Sequence, residues 1–328
     1  MEKETVINRI ELMKLLEEFR LSIISFDLKL LNNVRLPAYK GSTIRGGLGR
    51  GLKKASCKNE VRECKECSYK FKCIYSTFFE TPIDSDGTFG KLNNGPHSFV
   101  IEPPLVNQTE YFVNDKVSFK IILFGNAIDN YDYFVSAVEK FRKAGIGKNR
   151  AKFVVDKVKD EINNETLMSN GKQAFLPSKL EKADLGKLFN RFAEEKDFEN
   201  ITLNFVTPAR IKYRNKLTDT LPFYVLVLNL IRRVEMLQYF DGENVVLLTN
   251  YKELIGLAQD VREENNQLYW YDWERYSSRQ GVRMKLGGLM GTITYSGNIK
   301  EFLPLIFLGS YIHIGKGTSF GLGKYEIS

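Results

Sequence analysis

The sequence predicts an α+β chain built from two tandem domains, each of the order β-α-β-β-α-β. Three observations carry that expectation. Apolar residues recur at helical spacing in some segments and cluster in short β-branched or aromatic runs in others. The order strand, helix, strand, strand, helix, strand can be read twice along the chain. Each pass also closes on a helix, a glycine-containing turn and a strand. At 328 residues the chain is long enough for two domains of ordinary size.

The elements follow in order. Val6, Ile10, Met13, Leu16 and Phe19 mark an amphipathic N-terminal helix. Residues 21–31 read as a strand, broken by Pro37 and Gly41. Ser42 or Thr43 is expected to cap a helix running to about Ala55. A cysteine-rich insert covers residues 57–73. Strands are expected over Phe99–Pro103 and Val117–Phe124, a helix over Tyr131–Lys143, then a turn at Gly145-Ile-Gly-Lys and a strand over Lys152–Lys159. Residues 161–200 are charged and weakly patterned, a linker with a helix near Leu185–Glu194.

The second pass begins with a strand over Ile201–Tyr213, interrupted by Pro208. Phe223–Phe240 is a strongly periodic helix, continued at Tyr251–Val261. Leu268–Ser278 and Val282–Tyr295 are expected to form a hairpin, followed by a helix to Ile312, a glycine-rich loop and a terminal strand. The domains are therefore drawn as 1–160, a linker at 161–200, and 201–328. Two ferredoxin-like (RRM-like) domains are the economical architecture, and their open sheet faces and loops suit single-stranded RNA.

Charge narrows the class of partner. Between Arg35 and Tyr75 there are eleven Lys/Arg against three Glu, an excess equal to the +8 of the whole chain. Such a local concentration is the electrostatic footprint of a polyanion. Within it, Lys40, Arg50, Lys53 and Lys54 are candidate RNA contacts. Further on, aromatics and cations interleave from Trp270 to Lys285, with Arg275, Arg279 and Lys285 as candidate phosphate contacts beside rings able to stack on bases. No apolar run reaches 18 residues, and the first residues lack the apolar core of a signal peptide, so a cytoplasmic protein without a membrane is expected.

All four cysteines fall in one window, Cys57-x6-Cys64-x2-Cys67-x5-Cys73. The Cys64-x2-Cys67 pair has knuckle spacing, which lets two thiolates meet one tetrahedral metal. A structural zinc held by Cys57, Cys64, Cys67 and Cys73 is expected, with an iron–sulfur cluster or free thiols as alternatives. With four protein ligands such a metal would brace a loop and would not catalyse.

The terminal stretch holds Gly315, Lys316, Gly317, Gly321 and Gly323, preceded by His313, one of two histidines. It is either a tight packed turn or a loop whose backbone amides approach an anion closely. A Walker A loop is excluded, because five residues separate Gly309 from Gly315 and Lys316 is followed by glycine. A dinucleotide fingerprint is excluded by context, since this loop follows a helix and opens a strand.

Together Arg275-Tyr-Ser-Ser-Arg279-Gln, Leu286-Gly-Gly-Leu-Met-Gly291 and His313-Ile-Gly-Lys-Gly-Thr-Ser-Phe-Gly-Leu-Gly323 resemble the CRISPR-associated precursor-RNA processing endoribonucleases of the RAMP superfamily. Gly145-Ile-Gly-Lys, Thr207-Pro208-Ala-Arg210 and Cys73-Ile-Tyr-Ser-Thr-Phe-Phe-Glu80 support the resemblance. It implies binding of single-stranded or hairpin CRISPR repeat RNA by the glycine loop. It also implies metal-independent cleavage by ribose 2′-OH attack, a 2′,3′-cyclic phosphate product, and a guide RNA for an interference complex. Members of that family place a catalytic histidine in the first domain, near Tyr and Lys. Here the stretch from Tyr39 to Lys54 has no histidine, and His97 reads as a surface turn residue. His313 is therefore the expected proton-transfer residue, with Tyr39 and Arg45 as acid and phosphate-stabilising groups. A non-cleaving RNA-binding subunit of an interference complex and a zinc-stabilised nucleic-acid adaptor are the alternative readings.

Overall fold

The computed structural model describes residues 2–57, 64–83, 94–169, 172–173, 179–194, 198–241, 251–277 and 282–328. They form two compact α+β units: 20–183, and 184–328 together with 1–19.

In the first unit β1 (Leu21–Leu30) is the central strand. It is followed by β2 (Val34–Arg35), α2 (Gly41–Ser56), β3 (Phe99–Glu102), β4 (Glu110–Tyr111) and β5 (Lys116–Phe124). Then come α3 (Asn126–Asp129), α4 (Tyr131–Ala144), β6 (Phe153–Asp160), β7 (Glu165–Ser169) and β8 (Lys172–Gln173). The sheet order is β3-β5-β1-β6-β7-β8, and the pairs are antiparallel. Alternation along β1 sends Ile24, Phe26, Leu28 and Leu30 into the core, all fully buried. Each such side chain is worth roughly 1.5–3 kcal/mol over leaving it in water. Phe26 stacks on Phe119 directly across the ladder at 5.1 Å.

Helix α2 carries five glycines, an unusual load given their cost in helix interiors. Packing explains three of them. A Cβ at Gly47 would stand 2.2 Å from Phe141, one at Gly51 1.9 Å from the Ala137 carbonyl oxygen, and one at Gly49 2.3 Å from Phe79. The glycines let α2 lie almost backbone to backbone on α4. The helix begins at Gly41 with Lys40 at the N-cap position and no side-chain cap, not at Ser42 or Thr43 as the capping preference predicts.

The second unit contains α1 (Glu2–Glu18), α5 (Leu185–Glu194), β9 (Asn200–Ala209), β10 (Lys212–Tyr213), β11 (Lys216–Leu217), α6 (Phe223–Asp241) and α7 (Tyr251–Gln259). It continues with β12 (Arg262–Asn266), β13 (Tyr269–Tyr271), β14 (Glu274–Ser277), β15 (Val282–Lys285), β16 (Gly288–Ser296), α8 (Leu303–Ile312) and β17 (Tyr325–Ile327). The sheet order is β12-β16-β9-β17, so this core too runs β-α-β-β-α-β. Helix α8 is apolar on every side and almost wholly buried. A helix without a polar face must be surrounded, and α1, α5 and α6 pack around it. That is why residues 1–19 belong with the C-terminal part of the chain, where the boundaries drawn from sequence place them in a domain of residues 1–160.

Two further differences have local causes. Strand β12 reads Arg-Glu-Glu-Asn-Asn with every residue exposed, so no apolar alternation marks it. It pairs with β16, and β13 also pairs with β16, while β14 and β15 pair with each other. The expected hairpin is present: β13 and β14 run back along β15 and β16 in one register, from Tyr269↔Met290 to Ser277↔Val282. Pro208 lies inside β9, where the register with β16 slips between Leu289 and Gly291; a residue without an amide hydrogen is tolerated at such a bulge.

Candidate nucleic-acid interface

The glycine-rich loop of the second unit is clamped against residues 207–210. The Ile314 amide donates to Gly323 O at 3.0 Å, Gly323 to Pro208 O at 3.1 Å and Lys316 to Arg210 O at 2.9 Å. The Thr207 hydroxyl donates to Gly321 O at 2.9 Å and accepts from the Lys324 amide at 2.8 Å. A Cβ at Gly323 would lie 1.9 Å from Ile314 O, and both Gly315 and Gly323 have positive φ. The glycines therefore serve close backbone approach. The amides of Ile314, Lys316, Gly321 and Gly323 are used inside the fold, so the expected amide cradle at Gly321 and Gly323 is not what presents this loop to an anion.

The side chains do that. Lys316 is exposed, and it lies beside Lys212 and Arg210. Partial burial, then Lys212 and Arg210, hold the Lys316 ammonium below its ordinary pKa. Arg210 is itself held down by burial, and its Nη1 donates to Gly287 O at 2.6 Å. Three cations gathered from two adjoining segments repel each other, and an anion relieves the arrangement. Of the three, sequence reasoning singled out Lys316 as a contact; Arg210 and Lys212 are brought to it by the turn after β9.

His313 is fully buried, with Nδ1 3.2 Å from Leu322 O. It follows the end of α8 at φ 58°. Next to it, Arg233 Nη2 donates to Ile312 O at 3.3 Å, and desolvation brings this guanidinium down to about 10. A ring with no surface in contact with solvent has no route to a ribose hydroxyl in this conformation. His313 fastens the two arms of the loop, which corrects the expectation that it transfers protons.

In the first unit α2 carries the other candidates. The Arg45 guanidinium contacts His97 Nε2 at 2.9 Å and lies over the Phe79 ring at 4.2 Å. Arginine only donates, so Nε2 accepts and the neutral ring carries its proton on Nδ1. His97 packs against Phe79 and Phe99, at 6.0 and 5.6 Å, in a cluster of three near-parallel rings. The histidine absent from the Tyr39–Lys54 stretch thus arrives from the segment before β3. A Gly-Pro-His turn offers no signal for that placement.

Tyr39 is half-buried, and desolvation, with Glu102 second, pushes its phenol well above the ordinary value. It stays protonated and can donate. Lys40 is fully buried; its Nζ donates to Ala38 O and Val106 O, both at 2.8 Å, and lies over the Tyr111 ring. Lys40 therefore braces the 103–113 loop, which corrects its assignment as an RNA contact. Arg50 and Lys54 are exposed, while Lys53 is half-buried over the Tyr75 ring.

The four cysteines are half-buried thiols. The Cys67 amide closes a turn on Cys64 O at 3.3 Å, and Cys57 lies near Cys64. Among the described residues no three side chains of metal-ligating type converge. The four-cysteine zinc site that the knuckle spacing suggests therefore stays a proposal. Burial pushes the Cys64 thiol up, partly offset by Lys53.

Arg275 and Lys285 lie on the β14–β15 ribbon, across from Met284 and Glu274. Arg279 falls outside the described residues. No helix among the described residues is long and apolar enough to cross a membrane.

Residues 203–325 match the family of the CRISPR-associated endoribonuclease Cas6, and residues 19–180 match a family described as an N-terminal domain. Among solved structures, 94% of the chain aligns with 46% of a chain in a partial Cas6-RT-Cas1–Cas2 complex, at 15% identity and a TM-score of 0.60. The chain thus spans about half the length of that relative. It also aligns over 94% with a Cas6 product complex (all of that chain, 13% identity, TM-score 0.55). For Cas6 of Thermus thermophilus, 94% aligns with 99% of that chain at 12% identity and a TM-score of 0.51. At these identities the likeness is one of fold. No curated protein matches the chain.

Proposed function

We propose, on the premise that residues 203–325 belong to the CRISPR-associated Cas6 endoribonuclease family, that this chain binds CRISPR repeat RNA and cleaves it without a catalytic metal. The observation that carries the reading is the cluster that Arg210 and Lys212, after β9, form with Lys316 of the glycine loop. Like charges are held together where the phosphates of a nucleic-acid backbone can neutralise them. The strand order of both units supports two tandem ferredoxin-like domains.

Cleavage by an internal 2′-hydroxyl needs a base, an acid for the 5′-oxygen and a cation for the phosphorane. Arg45 and His97 supply a base and a cation as one unit. A phosphate is a far better acceptor for a guanidinium than a neutral imidazole is. When Arg45 turns to the scissile phosphate, the Nε2 lone pair of His97 is released to take the hydroxyl proton. Tyr39, kept protonated, is the proposed proton donor. The product is a 2′,3′-cyclic phosphate, and the guide RNA passes to an interference complex.

Repeat RNA incubated with the protein in EDTA tests this. Cleavage that a single 2′-deoxy substitution at the cut site abolishes is the expected result; cleavage surviving that substitution, or requiring Mg2+, overturns it. A non-cleaving RNA-binding subunit is the second reading, favoured by the burial of His313. Tight binding with no cut product would select it.

A further inference from the structure

Strand β13 consists of three consecutive aromatic residues, and all remain open to solvent: Tyr269 54%, Trp270 37% and Tyr271 44%. Successive strand residues point to opposite faces, so both faces of this ribbon carry exposed rings. Two of these rings are seated on glycines. A Cβ at Gly287 would stand 2.8 Å from the Trp270 indole nitrogen, and one at Gly291 3.3 Å from the Tyr269 ring. Each ring thus meets backbone on one side and keeps open surface elsewhere. The indole is also fixed in plane, since Nε1–H donates to Asp272 Oδ1 at 3.0 Å.

Gly287 joins this ring to the cations. Its carbonyl accepts from Arg210 Nη1 at 2.6 Å, and the Arg210 carbonyl accepts from the Lys316 amide at 2.9 Å. A rigid indole and a guanidinium therefore flank the same glycine, beside Lys212 and Lys316. A phosphate and a flat base held one residue apart are what a nucleotide offers. We propose that Trp270 is the stacking half of a nucleotide subsite whose phosphate half is Arg210 with Lys212 and Lys316. One unpaired ribonucleotide places its base on the open face of the indole and its phosphate on the cations. The subsite rests on the RNA-binding reading above and adds to it a requirement for an unstacked base at this point.

Rings over glycines also occur as plain sheet packing, so the test must separate base recognition from support. The chain has two tryptophans, Trp270 and Trp273, so Trp273→Phe leaves Trp270 as the single indole, read by selective tryptophan excitation. That variant is titrated with an oligouridylate and with an abasic ribose-phosphate oligomer of equal length at fixed salt. Quenching by the first and not the second is expected. Trp270→Ala should weaken oligouridylate binding by about 10-fold or more while leaving the abasic affinity unchanged, and Trp270→Phe should retain most of it. Equal oligouridylate affinity for Trp270→Ala and its parent, or an equal loss on both oligomers, overturns the subsite. Lys316→Ala provides the separate check. If it weakens both oligomers while Trp270→Ala weakens neither, only the stacking proposal falls; if it weakens neither, the RNA reading of the loop falls as well.

Discussion

The Arg45 guanidinium and the His97 imidazole, 52 positions apart in sequence, meet at 2.9 Å over the Phe79 ring. The bond makes Nε2 an acceptor and gives an always-charged group a second, stronger partner whenever phosphate arrives. The two histidines of the chain thus have opposite surroundings. One faces a guanidinium, and the other is fully buried against the Leu322 carbonyl.

That contrast predicts opposite phenotypes. His97→Phe keeps a ring packed beside Phe79 and Phe99 and removes both nitrogens. It should abolish repeat-RNA cleavage while RNA affinity and Tm stay near the parent values. His313→Ala should instead lower stability by roughly 1–3 kcal/mol, through a lost ring and an unpaired Leu322 carbonyl, while the folded fraction still cleaves. Denaturant melts beside a gel-based cleavage assay read both; cleavage by His97→Phe at the parent rate would remove His97 from the chemistry.

Two helix glycines should respond with opposite signs to one methyl group. Gly51→Ala drives a Cβ into the Ala137 carbonyl and is expected to cost about 1–3 kcal/mol. Gly256→Ala, within α7 where a Cβ meets nothing within 4 Å, should stabilise by roughly 0.5–1 kcal/mol. Urea unfolding midpoints measure the pair, and equal shifts would contradict the close α2–α4 approach.

Lys316 should be a functional residue that does not help the fold. Its pKa is lowered on folding, so the unfolded chain holds the proton more tightly. At neutral pH the ammonium is charged in both states and the unfavourable surroundings act in full. They are relieved as pH rises through the lowered value toward that of an ordinary lysine, where stability should increase. Lys316→Met is expected to leave Tm no lower, flatten that rise, and weaken RNA binding with a salt slope smaller by about 1. A drop in Tm with unchanged affinity would assign Lys316 to the fold instead.

The cysteines give a fourth test. In EDTA-treated native protein all four half-buried thiols should react with Ellman's reagent without denaturant. Added zinc should leave that count unchanged. Protection of four thiols by one equivalent of zinc would show that the quartet closes on metal, as the spacing suggests.

Much of the architecture was legible along the chain, because it depends on local periodicity. The apolar stripe of α6, the alternation in β1 and the helix before the glycine loop all lie within about a dozen residues of their own signal. Strand β12 was not legible, since an exposed edge strand needs no apolar face. The true role of α1 was hidden as well: its partner, α8, lies some 300 positions away.

The site divides along the same line. By itself the sequence determined which chemistry was available: the basic excess near α2, a glycine loop with a lysine in it, and two histidines to choose between. Only the tertiary structure decided how these groups are used. It buried His313 and Lys40 under backbone carbonyls, and brought Arg210 and Lys212 to Lys316. It carried His97 across to Arg45. Residue type and spacing set what a side chain is able to do; burial and neighbours, fixed by contacts between distant segments, set whether it can reach a partner to do it.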